Sequence, residues 1–496
     1  MNTITNTSKR ILLSVLALVF SVGLPQYAGA QNTEPLQILM ITGGGPWHDY
    51  NTQKDQIRDG LLERLSNIEI TTDYEGADTI TMESTDFHFS RHLEEDWAAE
   101  FDVVIYNHCN LQVKDEAYVK GIIAEHVKHQ LPAVMLHCPI HLYQYAEGDG
   151  ADAWWDFTGA VSYAHEKENH PNTPTYTIEV LEPDHPIMKN YPSSWRTPAG
   201  ELYLIIDLHD NAIPLSHAYS VETHAYTETA WIHEYQGIRV FTSSLGHHNA
   251  SMGSDVNLNL VASGVLWAAG KLEEDGSPAP GYEGERGLGW VSLWDDTLNG
   301  WIESGGVVDW TSANWYGRLD QEMVWPTVDN TLVGESFRIE GDTLIAEGDQ
   351  RNLFYDGWIA GGYFKNFEFK VDVYTHPGSA SGVFFHTRYE EEGPPAVGYE
   401  AQINASRAGE SMTGSLVGAS EVETAPHGDN EWFSYYIKVD GKTVTVKVND
   451  ETVNEFTEPA DVDGPVSLRR GTIGLESIGS DSRVDFRNPM IRLLPD

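Results

Sequence analysis

Two cysteines, Cys109 and Cys138, are all that 496 residues contain, so neither a disulfide-rich scaffold nor a cysteine-built metal cluster organises this chain. Basic side chains are scarce as well, 30 against 75 acidic ones, for a formal charge of −45. Such a surface repels nucleic acid and anionic membranes, which leaves a neutral substrate as the expectation. Long apolar runs are also missing. The one candidate, Ile11 to Phe20, follows Lys9 and Arg10 and precedes Ala28-Gly29-Ala30, the pattern of a signal peptide over residues 1–30 and too short for a membrane span. The mature chain is therefore expected to begin at Gln31, to lack a transmembrane segment, and to be exported to the periplasm or the cell exterior. No Gly-x-Gly-x-x-Gly opens a helix with a ribose-binding acid at the right distance, so neither half reads as a dehydrogenase.

Aromatic residues are plentiful. Fifteen tryptophans and 23 tyrosines supply flat faces with polar handles, which suit sugar rings. The hydrophobic pattern changes along the chain. Up to about residue 272, apolar runs such as Val103–Tyr106 and Ala133–Leu136 alternate with helical spacings such as Ile57, Leu61, Leu65 and Val119, Ile122, Ile123, Val127. That alternation predicts an α/β domain with a mostly parallel sheet. Residues 273–289 are acidic, rich in glycine, hold Pro278 and Pro280 and lack periodicity, as a linker does. From residue 290 onward, period-two segments replace helices: Phe367–Tyr374, Ser381–Thr387, and Trp432–Val439 joined through Asp440-Gly441 to Thr443–Val448. These predict an antiparallel sandwich with a tight hairpin at Asp440-Gly441.

The chemistry-bearing residues of the first half gather after apolar strands. Gly43-Gly44-Gly45 leads to Trp47 and His48; His108 and Cys109 follow a second strand, and His137 and Cys138 a third. Parallel neighbours bring such strand ends together at the edge where open α/β sheets place their ligands. Four readings of this cluster stand side by side. It could form a sugar site with imidazoles as hydrogen-bonding or acid–base groups. It could hold a divalent metal on His48, His137 and His165, completed by a carboxylate or water. Cys109 and Cys138 could be bridged, and some histidines could merely satisfy buried backbone groups.

Farther on come Ala164-His165, Asp184-His185-Pro186, Gly200-Glu201-Leu202-Tyr203, Gly237–Thr242, Leu245-Gly246-His247 and Gly264–Gly270. On these residues the chain, over 37–272, resembles the trehalose-utilisation (ThuA-like) family, whose fold is that of flavodoxin and the class I glutamine amidotransferases. The resemblance places His48, His137, His165, Glu201 and His247 at a substrate-binding or second catalytic site. An Asp commonly precedes the Glu in that family, where this chain has Gly200. Glutaminase chemistry is not expected, because Cys138 is followed by Pro139 and lacks the Gly-x-Cys-x-Gly elbow of a nucleophile.

The second half carries its own resemblance, on Leu293-Trp294-Asp295, Leu298–Trp301, Ser381–Phe385, Gly398–Ile403, Thr413–Leu416, Glu431-Trp432 and Val484–Asn488. Over 290–496 it is similar to the 3-keto-disaccharide hydrolase domain, a concanavalin-like jelly roll. Trp301 and Trp432 are expected to fill its core. Strand alternation puts Glu400 and Gln402 on one face. The resemblance then implies a catalytic set of Glu400, Gln402, His386, Arg388 and Glu476. His386 and Arg388 follow the strand where relatives often carry Arg at once, and Glu476 stands in a segment where they often have Gln and His. In the implied reaction a ketone at carbon 3 acidifies the hydrogen at carbon 2. A base removes it, the group on carbon 1 leaves by β-elimination, and water adds to the enone. A separate sugar 3-dehydrogenase would supply the ketone, and a divalent ion could serve the enolate. The alternative is a jelly roll that only binds carbohydrate beside a ThuA-like sugar-processing domain.

Overall fold

The computed structural model describes residues 34–76, 79–81, 83–166, 175–294, 298, 300–305, 336–462 and 464–495. The expected signal peptide, together with Asp295 and Asn299 of the opening jelly-roll motif, lies outside them. Among the described residues no helix is long and apolar enough to cross a membrane.

The first half is α/β around a nine-stranded sheet. Strands β1 (Leu36–Gly44), β2 (Ile68–Glu75), β3 (Val103–Cys109) and β4 (Ala133–Leu136) are parallel, in the order β2-β1-β3-β4, and the strand Ile238–Ser243 continues them in parallel beside β4. Four antiparallel strands then extend the sheet, from Ala225–Tyr235 out to Ser194–Arg196. β1, β3 and β4 are buried along almost their whole length, which is why they read as continuous apolar runs. Helix α1 (Tyr50–Arg64) starts where the Asp49 carboxylate accepts from Thr52 N, and it buries Ile57 and Leu61. Helix α2 (Glu116–His129) is capped in the same way by Asp115 and buries Val119, Ile122 and Ile123. Each cap satisfies an N–H that the first helical turn leaves open.

The second half is all-β, a sandwich of an eight-stranded and a five-stranded sheet. The larger sheet centres on Phe367–Thr375 and Val484–Leu493. The smaller runs Trp301–Glu303, Arg351–Tyr355, Thr472–Ser477, Ala380–Thr387, Tyr399–Asn404, every pair antiparallel. Phe369, Val371, Val383, Phe385, Leu475 and Ile437 fill the space between them. The hairpin forms one residue later than its sequence suggested. Asp440 pairs with Thr443, so the turn is Gly441-Lys442, with φ +59° at Gly441; one positive φ at the first turn position is the II′ pattern rather than I′. Trp301 is buried, its Nε1 donating to Leu293 O at 2.7 Å. Trp432 is not a core residue: it is exposed, with the Arg487 guanidinium over its ring at 4.2 Å. It alternates with the buried Phe433, Tyr435 and Ile437, so its side chain lies on the outer face of its strand.

Residues 273–289, linker-like in composition, are laid down as a strap against α1. Ser66 N donates to Tyr282 O, Gly284 N to Arg64 O, and Tyr282 and Leu288 are buried. Arg286 pairs with Asp255 and Glu63. Beneath it the fully buried Arg64 binds Asp255 Oδ1 at 2.7 Å and Asn259 Oδ1 at 2.9 Å.

Candidate functional sites

The carboxyl end of β1 needs glycine. At Gly44, with φ +87°, a β-carbon would stand 2.2 Å from Cys109 O, so only a residue without one lets β3 lie alongside while the chain turns toward His48. Cys109 and Cys138, at the ends of β3 and β4, are joined by a disulfide with a Cα separation of 5.5 Å. Tyr50 and the partly buried Trp47 pack on it. With Cys138 bonded, no thiol remains for amidotransferase chemistry.

His137 follows β4 at φ +61° and ψ −104°, a conformation costly for any residue with a β-carbon and one that turns its side chain out of the strand end. Its backbone N–H donates to Ser243 O at 2.7 Å, and its Nδ1 lies 2.7 Å from Ser244 O. On its other side Nε2 lies 3.2 Å from Glu201 Oε2 and 3.3 Å from His247 Nδ1. The same Glu201 oxygen is 3.0 Å from His247 Nδ1, and Oε1 is 3.0 Å from His165 Nδ1. The His48 ring meets those of His137 and His247 edge-on, at centroid distances of 4.8 and 4.6 Å. Glu201 is thus the centre of the cluster, whatever residue precedes it. Burial opposes its charge, but the close approach of His137 and His247 to its Oε2 outweighs that and holds the carboxyl well below its ordinary range. Burial pushes the His137 and His48 imidazoles down. Tyr203 forms the wall, stacked on His141 at 3.7 Å and tilted against His137 at 4.4 Å. All five residues singled out in this half therefore meet. His48, His137 and His247 each bring a nitrogen within 4.8 Å of the others, Glu201 Oε2 lies against His137 and His247, and His165 sits on the second Glu201 oxygen. His108 is not among them; it turns to the other side of the sheet, its ring against Phe89.

In the sandwich, Ala380–Thr387 runs between Thr472–Ser477 and Tyr399–Asn404. Gly382 pairs with Gln402 and Phe384 with Glu400; Val383 pairs with Leu475, so Glu476 stands one residue on, beside Gly382. Alternation then sets Glu400, Gln402 and Glu476 on one face around the bare Gly382. Glu476 and Gln402 are buried and Glu400 half-buried. Burial, then the charges of Glu476 and Glu410, pushes the Glu400 carboxyl up to about 8. Burial lifts Glu476 to about 7, against a hydrogen bond from Gln350. Gln402 Nε2 donates to Ser381 O at 3.3 Å.

His386 and Arg388 do not join this group. A bulge at His386, with φ +54°, turns the ring inward. Its Nε2 donates to Lys365 O at 2.8 Å and its Nδ1 accepts from Arg469 N at 3.0 Å, which makes it a structural residue, pushed by burial down to about 4. Arg388 is exposed and pairs with Glu390. Gln350 and Glu410 were not foreseen, because each sits in a turn with no pattern to mark it.

Residues 43–268 match the trehalose-utilisation family, and residues 289–492 match a family described as the 3-keto-alpha-glucoside-1,2-lyase-like domain. The chain is a ThuA-like domain followed by a 3-keto-disaccharide hydrolase domain. Both place it among carbohydrate-acting, glycosyl-hydrolase-like proteins. No curated protein matches it. Similar solved structures include a protein of Parabacteroides merdae described as ThuA-like, 17% identical, covering 51% of this chain and 98% of its own, with a TM-score of 0.38. Another, from Parabacteroides distasonis and provisionally named a glycosyl hydrolase, is 23% identical, covers 32% of this chain and 91% of its own, and has a TM-score of 0.27. The ThuA-like domain thus contributes the histidine cluster, and the hydrolase domain the carboxyl pair.

Proposed function

We propose that this protein is an exported enzyme whose C-terminal domain cleaves 3-keto-glycosides by β-elimination and hydration. The observation that carries the reading is the pair Glu400 and Glu476 flanking Gly382 on one sheet face, both lifted toward neutral pH. Between about 7 and about 8 the pair holds one proton, which rests for the larger part on Glu400; the reactive form is the minor tautomer, about tenfold rarer, in which Glu476 carries it and Glu400 is the base. Glu400, the more exposed, takes the proton from carbon 2. The electrons of that C–H bond form the carbon 1–carbon 2 double bond, and the carbon 1–oxygen bond breaks. The leaving oxygen takes a proton from Glu476; water then adds across the double bond, its oxygen to carbon 1 and its proton to Glu476, while Glu400 returns its proton to carbon 2. This path avoids the oxocarbenium-like transition state of ordinary glycosidases. A separate sugar 3-dehydrogenase supplies the ketone, and the Cys109–Cys138 bridge accords with export into an oxidising space.

The test offers the full chain a 3-keto-glycoside and its unoxidised parent. Cleavage of the ketone alone, lost by about 100-fold or more in Glu400→Gln, is the expected result. Equal turnover of the parent, or an active Glu400→Gln enzyme, overturns the proposal.

A further inference from the structure

The histidine cluster of the ThuA-like domain holds an electrostatic problem that its own residues do not solve. Ser244 O can only accept a hydrogen bond, so His137 Nδ1, 2.7 Å away, carries the ring hydrogen. In a neutral imidazole Nε2 then bears a lone pair. That lone pair is aimed at Glu201 Oε2, 3.2 Å away, which is also only an acceptor. Two acceptors at such a distance in a buried site repel unless a cation lies between them. His48 adds a second sign of the same kind: its Nδ1 is buried without a hydrogen-bond partner.

The remaining geometry selects the kind of cation. His48, His137 and His247 each bring one nitrogen to within 4.8 Å of the others, and Glu201 Oε2 lies beside two of them. Nitrogen and oxygen donors about 2.0–2.2 Å from a common centre need only small rotations from there. The outer contacts are those that orient metal ligands. Ser244 O fixes the tautomer of His137, and His165 Nδ1, 3.0 Å from both Glu166 O and Glu201 Oε1, shares its hydrogen between them and steadies the second oxygen of Glu201. The left-handed backbone at His137, which aims the ring at this point, is the kind of strain that functional sites retain.

We propose that His48, His137, His247 and Glu201 bind one divalent transition-metal ion of the zinc type at the carboxyl edge of the N-terminal sheet. Three imidazoles and one carboxylate suit zinc or cobalt better than calcium or magnesium. His165, 44% exposed, marks the open side, where water or a sugar oxygen completes the shell. The proposal stands on these residues alone and is independent of the reading of Glu400.

The full chain, stripped with chelator, is titrated with Co²⁺ and with Zn²⁺ and followed by calorimetry and by the visible spectrum of cobalt. One ion per chain is expected, bound more tightly than about 1 µM, with a nitrogen-rich cobalt spectrum. His247→Gln and Glu201→Gln should each weaken binding by at least about tenfold, and His165→Gln by less. Circular dichroism shows whether each variant is folded; if one is not, the stoichiometry and spectrum of the unaltered chain still decide. Absence of binding overturns the proposal. So does binding that His247→Gln leaves unchanged, which would place the ion elsewhere, for example at the surface group Asp96, Glu125 and His129. A nitrogen NMR spectrum showing a hydrogen on His137 Nε2 at pH 7.5 in metal-saturated protein would also overturn it, because a proton would then solve the problem.

Discussion

A β-carbon on Gly382 would stand 2.5 Å from Glu400 Oε1 and 2.9 Å from its Cγ. The glycine of the central strand is therefore the floor on which the Glu400 carboxyl rests, and its φ is not one that demands glycine. Gly382→Ala should leave the fold intact and push the carboxyl aside. A displacement of about 1 Å is worth about 100-fold in rate, so turnover of a 3-keto-glycoside should fall by that order while the melting temperature moves little. A variant with full turnover would show that Glu400 does not work from this position.

The acid limb of the pH–rate profile should reflect the carboxyl pair. Glu400 is held up to about 8 by burial and then by Glu476. Its basic form therefore accumulates as pH rises through that value. Glu476→Gln removes the nearest negative charge, so the limb should move to lower pH, with a smaller loss of rate than Glu400→Gln causes. The profile of kcat/KM over pH 5 to 9 reads this directly; an unmoved limb means that the two carboxyls do not interact.

The same pair should make the native state less stable in alkali. Both folded values, about 8 and about 7, lie above the ordinary carboxyl value of 4.5, so the folded state binds more protons than the unfolded one across that interval. Their favourable contribution is complete below about 4.5 and is lost as pH rises through about 7 to 8. Glu400→Gln and Glu476→Gln, neutral at every pH, should melt higher than the unaltered chain at pH 8.5, by about 2 °C, and should lose that advantage at pH 4.5. Scanning calorimetry at the two pH values checks it.

Buried histidines act in the opposite sense at lower pH. Burial holds His126, His233 and His386 down to about 4 and His108 to about 3, against about 6.5 in an unfolded chain. The unfolded state therefore takes up protons first, and stability present above about 6.5 is lost as pH falls toward 4. The urea midpoint of the Glu400→Gln, Glu476→Gln double variant, in which the carboxyl contribution is absent, should fall steadily across that range. A flat midpoint would mean that these imidazoles are solvated.

The strap offers a test of how firmly residues 273–289 are held. Asp255 takes Arg64 on one oxygen and Ser292 N on the other. Asp255→Ala leaves the Arg64 charge buried without its carboxylate, a loss of about 3 kcal/mol or more, and should expose the strap to protease. Unchanged resistance to trypsin at Arg286 would show that the backbone contacts with α1 suffice.

Much of this was legible because it was periodic. Continuous apolar runs gave β1, β3 and β4, the spacing of Ile57 and Leu61 gave α1, and alternation put Glu400 and Gln402 on one face. What failed was local geometry that no period encodes. The bulge that turns His386 inward and the exposure of Arg388 depend on one positive φ. The strand extension that shifts the hairpin to Gly441-Lys442 depends on a single cross-strand pair. Glu201 shows the same limit from the other side: its neighbours in sequence said little of its role, because the three imidazoles around it come from strand ends far apart along the chain.

The disulfide has a consequence for how the protein matures. Four cysteines allow three ways of pairing, but two allow only one. Since Cys109 and Cys138 are the only thiols in the sequence, oxidation within a single chain can yield no wrong isomer. A nascent molecule needs an oxidant, but it has no incorrect bridge within itself for an isomerase to undo.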